Sequence, residues 1–205
     1  MSSAGNLEKK LLLEVARRAM SAAVEGRELA GTLPDIPNRC DSGGVFVTLH
    51  RRGRLRGCVG QVLPKSSLVE TIAYCAKAAA LEDPRFEPVR PDESPEIEIE
   101  LSVLSPLETI APEQIQAGKH GLMVSSGRQR GVLLPQVAVQ FRWDGLRLLE
   151  ETCAKAGFDR DAWKKPDVRV EAFTAEIFSE ADVRDSSTAK AETQAGSKPG
   201  YSSST

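Results

Sequence analysis

A cysteine in the first third of the chain follows two arginines and is flanked by glycines. The segment RGRLRGCVGQVLP places Cys58 after Arg54 and Arg56. Gly57 precedes the cysteine directly, and Gly60 follows two positions later. A thiolate is the nucleophilic form of cysteine, and neighbouring cationic groups stabilise it, while glycines let a substrate or another backbone approach closely. The segment therefore predicts a catalytic thiol in a cationic binding site. The alternative is a small hydrophobic residue buried in a strand.

A histidine is the second candidate for chemistry. The chain contains two histidines, His50 and His120. His120 lies in GKHGL, whose glycines predict an accessible loop. Histidine acts as a general base near neutral pH, so His120 is predicted to be the catalytic partner of Cys58. The alternative is a loop histidine that hydrogen-bonds the backbone, and His50 is expected to be a solvated residue at a strand end.

Arg85 is a further candidate for binding. It lies in the segment DPRF, which follows a predicted helix. Its planar guanidinium group suits an anion. Alternatively, Arg85 forms a buried ion pair with Asp83 and locks two lobes of the fold together.

Two carboxylates share one face of the alternating segment EIEIELSVL. Glu98 and Glu100 could act as an acid/base pair or as metal ligands, or they could be the polar face of a half-buried strand. A third interpretation places them beside Arg54 and Arg56 on a neighbouring strand. A cross-strand charge ladder would then neutralise these arginines.

The overall charge argues against a nucleic-acid partner. The chain has 27 basic and 29 acidic residues, a net charge of -2 and a pI of about 5.8. The run HRRGRLR is basic enough to contact phosphates. However, aromatic residues make up 5% of the chain, which leaves few side chains for stacking on bases. The run is therefore expected to be a charged hairpin edge that prevents aggregation.

The sequence points to a cytoplasmic protein without a membrane anchor, because no window approaches the roughly 18 apolar residues of a span and no signal peptide is present. The four cysteines form no C-x-x-C pair, so no metal site is predicted and reduced thiols are expected. Cys40, Cys75 and Cys153 are predicted to be structural. No G-x-G-x-x-G or P-loop occurs, so the sequence identifies no cofactor.

Three helices are predicted from apolar periodicity and capping residues. The first covers residues 7–25, with Asn6 as its cap and Gly26 as its end. The second begins at a Ser67–Glu70 capping box and ends near Asp83-Pro84. The third begins at Asp144 and ends at Gly157.

The register of a predicted hairpin decides which face carries the Cys58 thiol. Residues 45–50 and 54–62 are expected to pair antiparallel around an Arg-Gly turn. A two-residue loop places Cys58 on the face of Val47. A three-residue loop with a glycine bulge places it on the face of Thr48. The sequence leaves both registers open.

The remaining pattern predicts an α+β fold, with mainly antiparallel sheet and helices packed on it. Further strands are expected at 96–104, 122–124, 132–134 and 168–178. The folded domain is predicted to span residues 7–180, after a flexible N-terminus at 1–6. The polar, low-complexity tail at 185–205 is predicted to be disordered.

Several segments together resemble the AMMECR domain family. In chain order they are LRGCVG (55–60), DPRF (83–86), EIELSVLSPLE (98–108), HGL (120–122), GVLLPQVA (131–138) and CAKAGF (153–158). The resemblance covers about residues 7–178. It implies two lobes with a cleft between them, lined by the LRGC segment.

The resemblance also implies partners. In bacteria and archaea such domains are often encoded beside a Memo-like protein and a radical SAM enzyme, so the chain resembles a component of that multi-protein system. The family brings no settled reaction and no known oligomeric state. Three functions therefore remain: a thiol-dependent enzyme using Cys58, a non-catalytic module that binds a substrate or partner, and an RNA-binding accessory.

Overall fold

The computed structural model describes residues 5–34, 36 and 43–184. Cys40, the predicted tail at 185–205 and residues 1–4 of the predicted flexible N-terminus lie outside these residues. Within them, the main helices are α1 (Asn6–Val24), α2 (Leu68–Leu81), α3 (Pro135–Phe141) and α4 (Gly145–Lys155). The strands are β1 (Gly44–Arg51), β2 (Arg54–Val62), β3 (Ile97–Leu104), β4 (Glu108–Thr109), β5 (Gly121–Ser126), β6 (Gln129–Leu133), β7 (Arg169–Phe173) and β8 (Ala175–Ser179).

The strands form two antiparallel sheets, each with its own hydrophobic core, which confirms the α+β class. The first lobe holds the sheet ordered β2-β1-β3-β8, with α1 and α2 packed on one face. The second lobe holds the sheet ordered β4-β7-β5-β6, with α3 and α4 beside it. None of the helices within the described residues has the length and apolar character needed to cross a membrane.

The helices begin and end close to the predicted positions. Ser67 and Glu70 form the predicted capping box, with the Ser67 N–H donated to the Glu70 carboxylate at 3.0 Å. Asp144 caps α4 by accepting the N–H of Arg147 at 2.7 Å. The predicted cap of α1 was wrong by one residue. Gly5 has the extended backbone of a cap, and Asn6 is already helical.

The hairpin is confirmed, and a bulge fixes its register. The turn residues Arg52 and Gly53 have φ of 52° and 71°, which matches a tight two-residue hairpin turn. The pairing then shifts between positions 49 and 50 of β1, and Arg56 is the unpaired residue of β2. Cys58 consequently lies opposite Thr48, on the face away from α2. The extra residue lies in the strand and not in the loop, so the sequence alone could not fix the register.

The order of the strands excludes the direct charge ladder. β1 lies between β2 and β3, so Arg54 and Arg56 do not neighbour Glu98 and Glu100 across a strand pair. On β3, Ile97, Ile99, Leu101 and Val103 face the core as the alternation predicts. The neighbour of Glu100 on β1 is Thr48.

The predicted strand at 168–178 is two strands in different sheets. β7 belongs to the second lobe and β8 to the first, with Thr174 between them. Ser105, just after β3, donates its N–H to the Thr174 carbonyl at 2.9 Å. The Ser105 hydroxyl oxygen accepts the Thr174 N–H at 3.0 Å. The apolar pattern continues through the break because both strands bury side chains, which is why the sequence predicted one strand.

Candidate active site around Cys58

Two side chains from one loop hold the backbone of Cys58. β2 is an edge strand, so the outward N–H and C=O of Cys58 have no strand partner. The Cys58 N–H is donated to Asp83 Oδ2 at 2.8 Å, and Arg85 Nη2 donates to the Cys58 carbonyl at 3.3 Å. Both polar groups are thereby satisfied, and the position of the cysteine is fixed from outside the sheet.

Asp83 and Arg85 form a bidentate ion pair. Arg85 Nε donates to Oδ1 at 2.9 Å and Nη2 donates to Oδ2 at 2.7 Å. The Asp83 side chain is 3% exposed and the Arg85 side chain 55%. The hydrogen bond from Arg85 lowers the pKa of Asp83 to about 2, so the carboxylate is charged at neutral pH. This pair ties the loop after α2 to β2 within the first lobe, whereas the predicted lock would have joined the two lobes.

The thiol itself faces a hydroxyl and, beyond it, a carboxylate. Cys58 is half-buried, and Thr48 Oγ1 donates to its sulfur at 3.4 Å. Thr48 lies opposite Cys58 on one side and opposite Glu100 on the other. Burial raises the pKa of Glu100, and the nearby Asp182 and Glu98 add to this effect while His50 opposes it. A thiol, a hydroxyl and a carboxyl group therefore follow one another across three strands.

A lysine of the second lobe interacts electrostatically with the thiol. Lys155, the last residue of α4, is exposed but partly desolvated, and this desolvation lowers its pKa. The charge of Arg85 lowers that pKa further, while Cys58 raises it. Cys58 in turn helps Asp83 to raise the pKa of Arg85. Arg85 thus contacts the backbone of Cys58, and Lys155 of the second lobe lies close enough for its charge to interact with the thiol.

His120 lies in another part of the molecule. Its Nδ1 accepts the N–H of Gln116 at 3.2 Å, and it lines a cavity formed by residues 105–120 and 172–174. Burial and the charge of Lys119 lower its pKa. Within the described residues, the hydrogen bonds of Cys58 go to Thr48, Asp83 and Arg85, and none joins it to His120.

The family model AMMECR1 matches residues 13–178. The chain belongs to the AMMECR1 family. A protein from Thermococcus gammatolerans is 44% identical over 183 residues, which cover 83% of this chain and 89% of the relative. A protein from Aquifex aeolicus is 37% identical over 179 residues, covering 83% and 92%. The crystal structure of the uncharacterized protein PH0010 from Pyrococcus horikoshii is similar with a TM-score of 0.74 and 41% identity, covering 82% of this chain and 89% of that chain.

Three of the segments that carry the AMMECR1 resemblance meet at the thiol. LRGCVG supplies Cys58, DPRF supplies Asp83 and Arg85, and CAKAGF supplies Lys155. The role of Lys155 was not predicted, although its segment was part of the resemblance. The sequence left open whether Thr48 shares a face with Cys58, and it missed Glu100, because both positions depend on the bulge in β2 and on the strand order.

The two glycines of the AMMECR1 signature make room for packing. A Cβ atom on Gly57 would lie 2.1 Å from the carbonyl oxygen of Ala79 in α2. A Cβ atom on Gly60 would lie 2.2 Å from the ring of Phe46. The sequence suggested that these glycines allow close approach of a substrate or of another part of the protein. The structure supports the second reason.

The arginines of the basic run have acidic partners in most cases. Arg56 Nη2 donates to Glu93 at 3.0 Å and Nη1 to the carbonyl of Glu87 at 2.8 Å. Glu93 also pairs with Arg51, and its pKa falls to about 2, mainly through Arg56. Arg51 and Arg52 both pair with Glu96, while Arg54 is exposed. Arg56 therefore fixes the loop before β3, and the hairpin offers less free positive charge to a nucleic acid than its sequence implied.

The other described cysteines are buried. Cys75 and Cys153 have no exposed surface, as expected for structural residues. Burial raises the pKa of Cys75 to about 11 and raises that of Cys153. Within residues 5–34, 36 and 43–184, no three or more His, Cys, Asp or Glu side chains are grouped so that they could hold a metal ion.

Proposed function

We propose that Cys58 is the nucleophile of a thiol-dependent site that accepts an anionic substrate at the boundary of the lobes. One observation carries this proposal. The Asp83–Arg85 pair holds both backbone groups of Cys58, while the half-buried thiol faces away from the core beside the cations Arg85 and Lys155. Fixed geometry and neighbouring positive charge are the two requirements for a nucleophilic cysteine.

The charges favour a substrate with a carboxylate or phosphate group. Arg85 uses Nε and Nη2 for Asp83 and remains more than half exposed. Lys155 is exposed beside it, so the two cations can hold an anion next to the sulfur.

Thr48 and Glu100 supply the proton path in this proposal. The thiolate adds to a carbonyl carbon of the substrate, so that the C=O π electrons move onto the carbonyl oxygen, and the thiol proton has to leave before this bond forms. The Thr48 hydroxyl, which donates to the sulfur in this structure, lies opposite both Cys58 and Glu100 in the cross-strand row; once it rotates, it can accept the thiol proton and donate its own proton towards the carboxylate. A carboxyl group with a raised pKa is a better general base than a solvated one, which fits Glu100.

Two alkylating reagents that differ in charge test the anion site. Iodoacetate is anionic and iodoacetamide is neutral, but both alkylate the same sulfur. Peptide mapping by mass spectrometry should show that Cys58 reacts before Cys75 and Cys153, which are buried. Relative to a cysteine peptide, Cys58 should favour iodoacetate by about threefold or more.

Lys155→Gln should reduce that preference, whereas Lys164→Gln, an exposed change in the same lobe, should keep it. Equal rates for both reagents in the wild-type protein would exclude the anion site. A Cys58 that reacts no faster than Cys75 would exclude the thiol site altogether. The thiol must also stay reduced, which is consistent with the cytoplasmic location that the sequence predicts.

We also propose a docking function within a system that includes a Memo-like protein and a radical SAM protein, as the family resemblance implies. The observation that favours it is an exposed apolar corner where α3 meets α4. Val139, Phe141 and Leu146 are 64%, 56% and 50% exposed, and the Phe141 ring stacks on Trp143 at 4.9 Å. Contiguous exposed apolar surface of this kind marks interaction sites in soluble proteins.

Co-purification tests this second proposal. The Memo-like protein encoded in the same genome should be retained by the wild-type chain and by Cys58→Ser. Phe141→Ser, which changes an exposed residue, should lose it. Retention by Phe141→Ser would contradict docking at this corner.

A further inference from the structure

The cavity that His120 lines lies beside the segments at which the chain crosses between the two lobes. Its volume is about 550 Å³, within the range of small-molecule sites. The lining residues are Ser105, Glu108, Thr109, Ile110, Gln114, Gln116, His120, Ala172, Phe173 and Thr174. Cys58 and its neighbours Asp83, Arg85 and Lys155 are not among them, so this cavity is separate from the proposed thiol site.

The walls of the cavity are held in place by the crossing segments. Ser105 and Thr174 exchange two hydrogen bonds, at 2.9 and 3.0 Å. The Phe173 ring is 2% exposed and lies against Gly121, where a Cβ atom would come within 2.4 Å of it. Phe173 therefore supports the cavity from behind, and the half-buried Ile110 is the larger apolar side chain that a ligand can cover.

Two polar side chains of the cavity, His120 and Gln114, can donate hydrogen bonds to a ligand. His120 accepts a backbone N–H at Nδ1, so its proton in the neutral form is on Nε2. Burial and the charge of Lys119 lower the pKa of His120, which favours the neutral ring as a hydrogen-bond donor. The side-chain oxygen of Gln114 accepts the N–H of Ala111 at 3.3 Å, which leaves its amide N–H groups for a ligand.

The charge of the cavity comes from one residue. Of the lining residues within the described part of the chain, only Glu108 is charged once His120 is neutral. No lysine or arginine is among these lining residues. An anionic ligand would meet an unbalanced carboxylate here, while a cation would be paired.

We infer that this cavity binds a small molecule with a primary amine, whose ammonium group pairs with Glu108 and whose apolar part covers Ile110. His120 and Gln114 donate hydrogen bonds to acceptor atoms of the same molecule. The site is independent of the chemistry proposed at Cys58.

The two histidines make this inference testable by NMR. His120 lines the cavity and His50 lies on β1, so their imidazole signals compare the site with a reference in the same spectrum. The probes are ethylamine, putrescine and phenethylamine, matched with acetate, succinate and phenylacetate. The amines should shift the His120 signals at millimolar concentration and leave His50 unchanged. Phenethylamine should bind most tightly because its ring can cover Ile110.

A variant and its control identify the charged partner. Glu108→Gln keeps the side-chain shape and should weaken phenethylamine by about tenfold. Glu113→Gln removes a nearby exposed carboxylate outside the cavity lining and should leave binding unchanged. Stronger binding of the carboxylates than of the amines would overturn the inference. So would an unchanged His120 signal with all three amines, or equal weakening by both variants.

Discussion

The carboxylate of Asp83 accepts the backbone N–H of Cys58 at 2.8 Å. The two residues belong to segments that lie 25 positions apart in the chain. Asp83 also accepts from Arg85, which itself donates to the carbonyl of Cys58. One buried carboxylate therefore organises the loop, the edge strand and the guanidinium beside the thiol. The contribution of Asp83 to the stability of the fold can be measured separately from the reactivity of the Cys58 thiol.

Asp83→Ala should destabilise the protein by about 1–3 kcal/mol, because the Cys58 N–H loses its partner in a part-buried position. Urea denaturation would measure the loss of unfolding free energy. Asp92→Ala is the control, because Asp92 and its partner Arg90 have side chains 69% and 66% exposed. That change should leave the unfolding free energy close to that of the wild-type protein. Similar values for both variants would show that Asp83 does not organise the site.

Acid should destabilise the fold through two carboxylates. The pKa of Asp83 falls from 3.8 to about 2, chiefly through Arg85, and that of Glu93 falls from 4.5 to about 2, chiefly through Arg56. Both groups hold their protons more weakly in the folded state, so their contribution is present at neutral pH. It is lost as the pH falls from about 4.5 towards 2.

The double variant Asp83→Asn with Glu93→Gln should lose less unfolding free energy over that interval than the wild-type protein does. Equilibrium denaturation at several pH values measures the difference. An equal loss in both proteins would assign the acid sensitivity to other groups.

Much of the fold could be predicted because local signals agreed with tertiary contacts. The Ser67–Glu70 capping box and the alternation of β3 each have a local cause and were confirmed. The segment 168–178 was predicted wrongly because burial continues through its break. What separates β7 from β8 is the pairing of Thr174 with Ser105, 69 positions away, which no local pattern contains.

The site was less accessible to sequence reasoning, because its members come from distant segments. Cys58 was proposed from its neighbours in the sequence, but Arg56, two positions earlier and unpaired at the bulge, pairs with Glu93. The cations beside the thiol are instead Arg85 and Lys155. The strand register and the position of α4 determine which cations lie near the thiol, and neither can be read from the local sequence.

Substitution of Gly57 by alanine should cost more stability than the same change at Gly60. The new methyl group at 57 would meet the backbone oxygen of Ala79 at 2.1 Å, and moving it requires α2 to shift. At 60 it would meet the Phe46 ring, a side chain that can rotate. We expect about 2–3 kcal/mol or more at Gly57 and less at Gly60. Thermal or urea denaturation of both variants checks the order, and the reverse order would contradict the packing account.

The hydroxyl of Thr48 should control the reactivity of the thiol. Thr48→Val keeps the shape of the side chain but removes the hydrogen bond to the Cys58 sulfur, which is 3.4 Å long. It also interrupts the row that leads to Glu100. One neutral hydrogen bond contributes about 0.5–1.5 kcal/mol, so alkylation of Cys58 at neutral pH should slow about two- to tenfold.

Thr48→Ser keeps the hydroxyl and is the matched control, with an expected rate close to that of the wild-type protein. Glu100→Gln should slow the reaction in the same direction as Thr48→Val, and the double variant should be no slower than the slower single variant. This non-additivity is expected only if both residues act on the sulfur through one path. Independent, additive effects would remove Glu100 from the proton path while leaving Thr48 as a hydrogen-bond donor to Cys58.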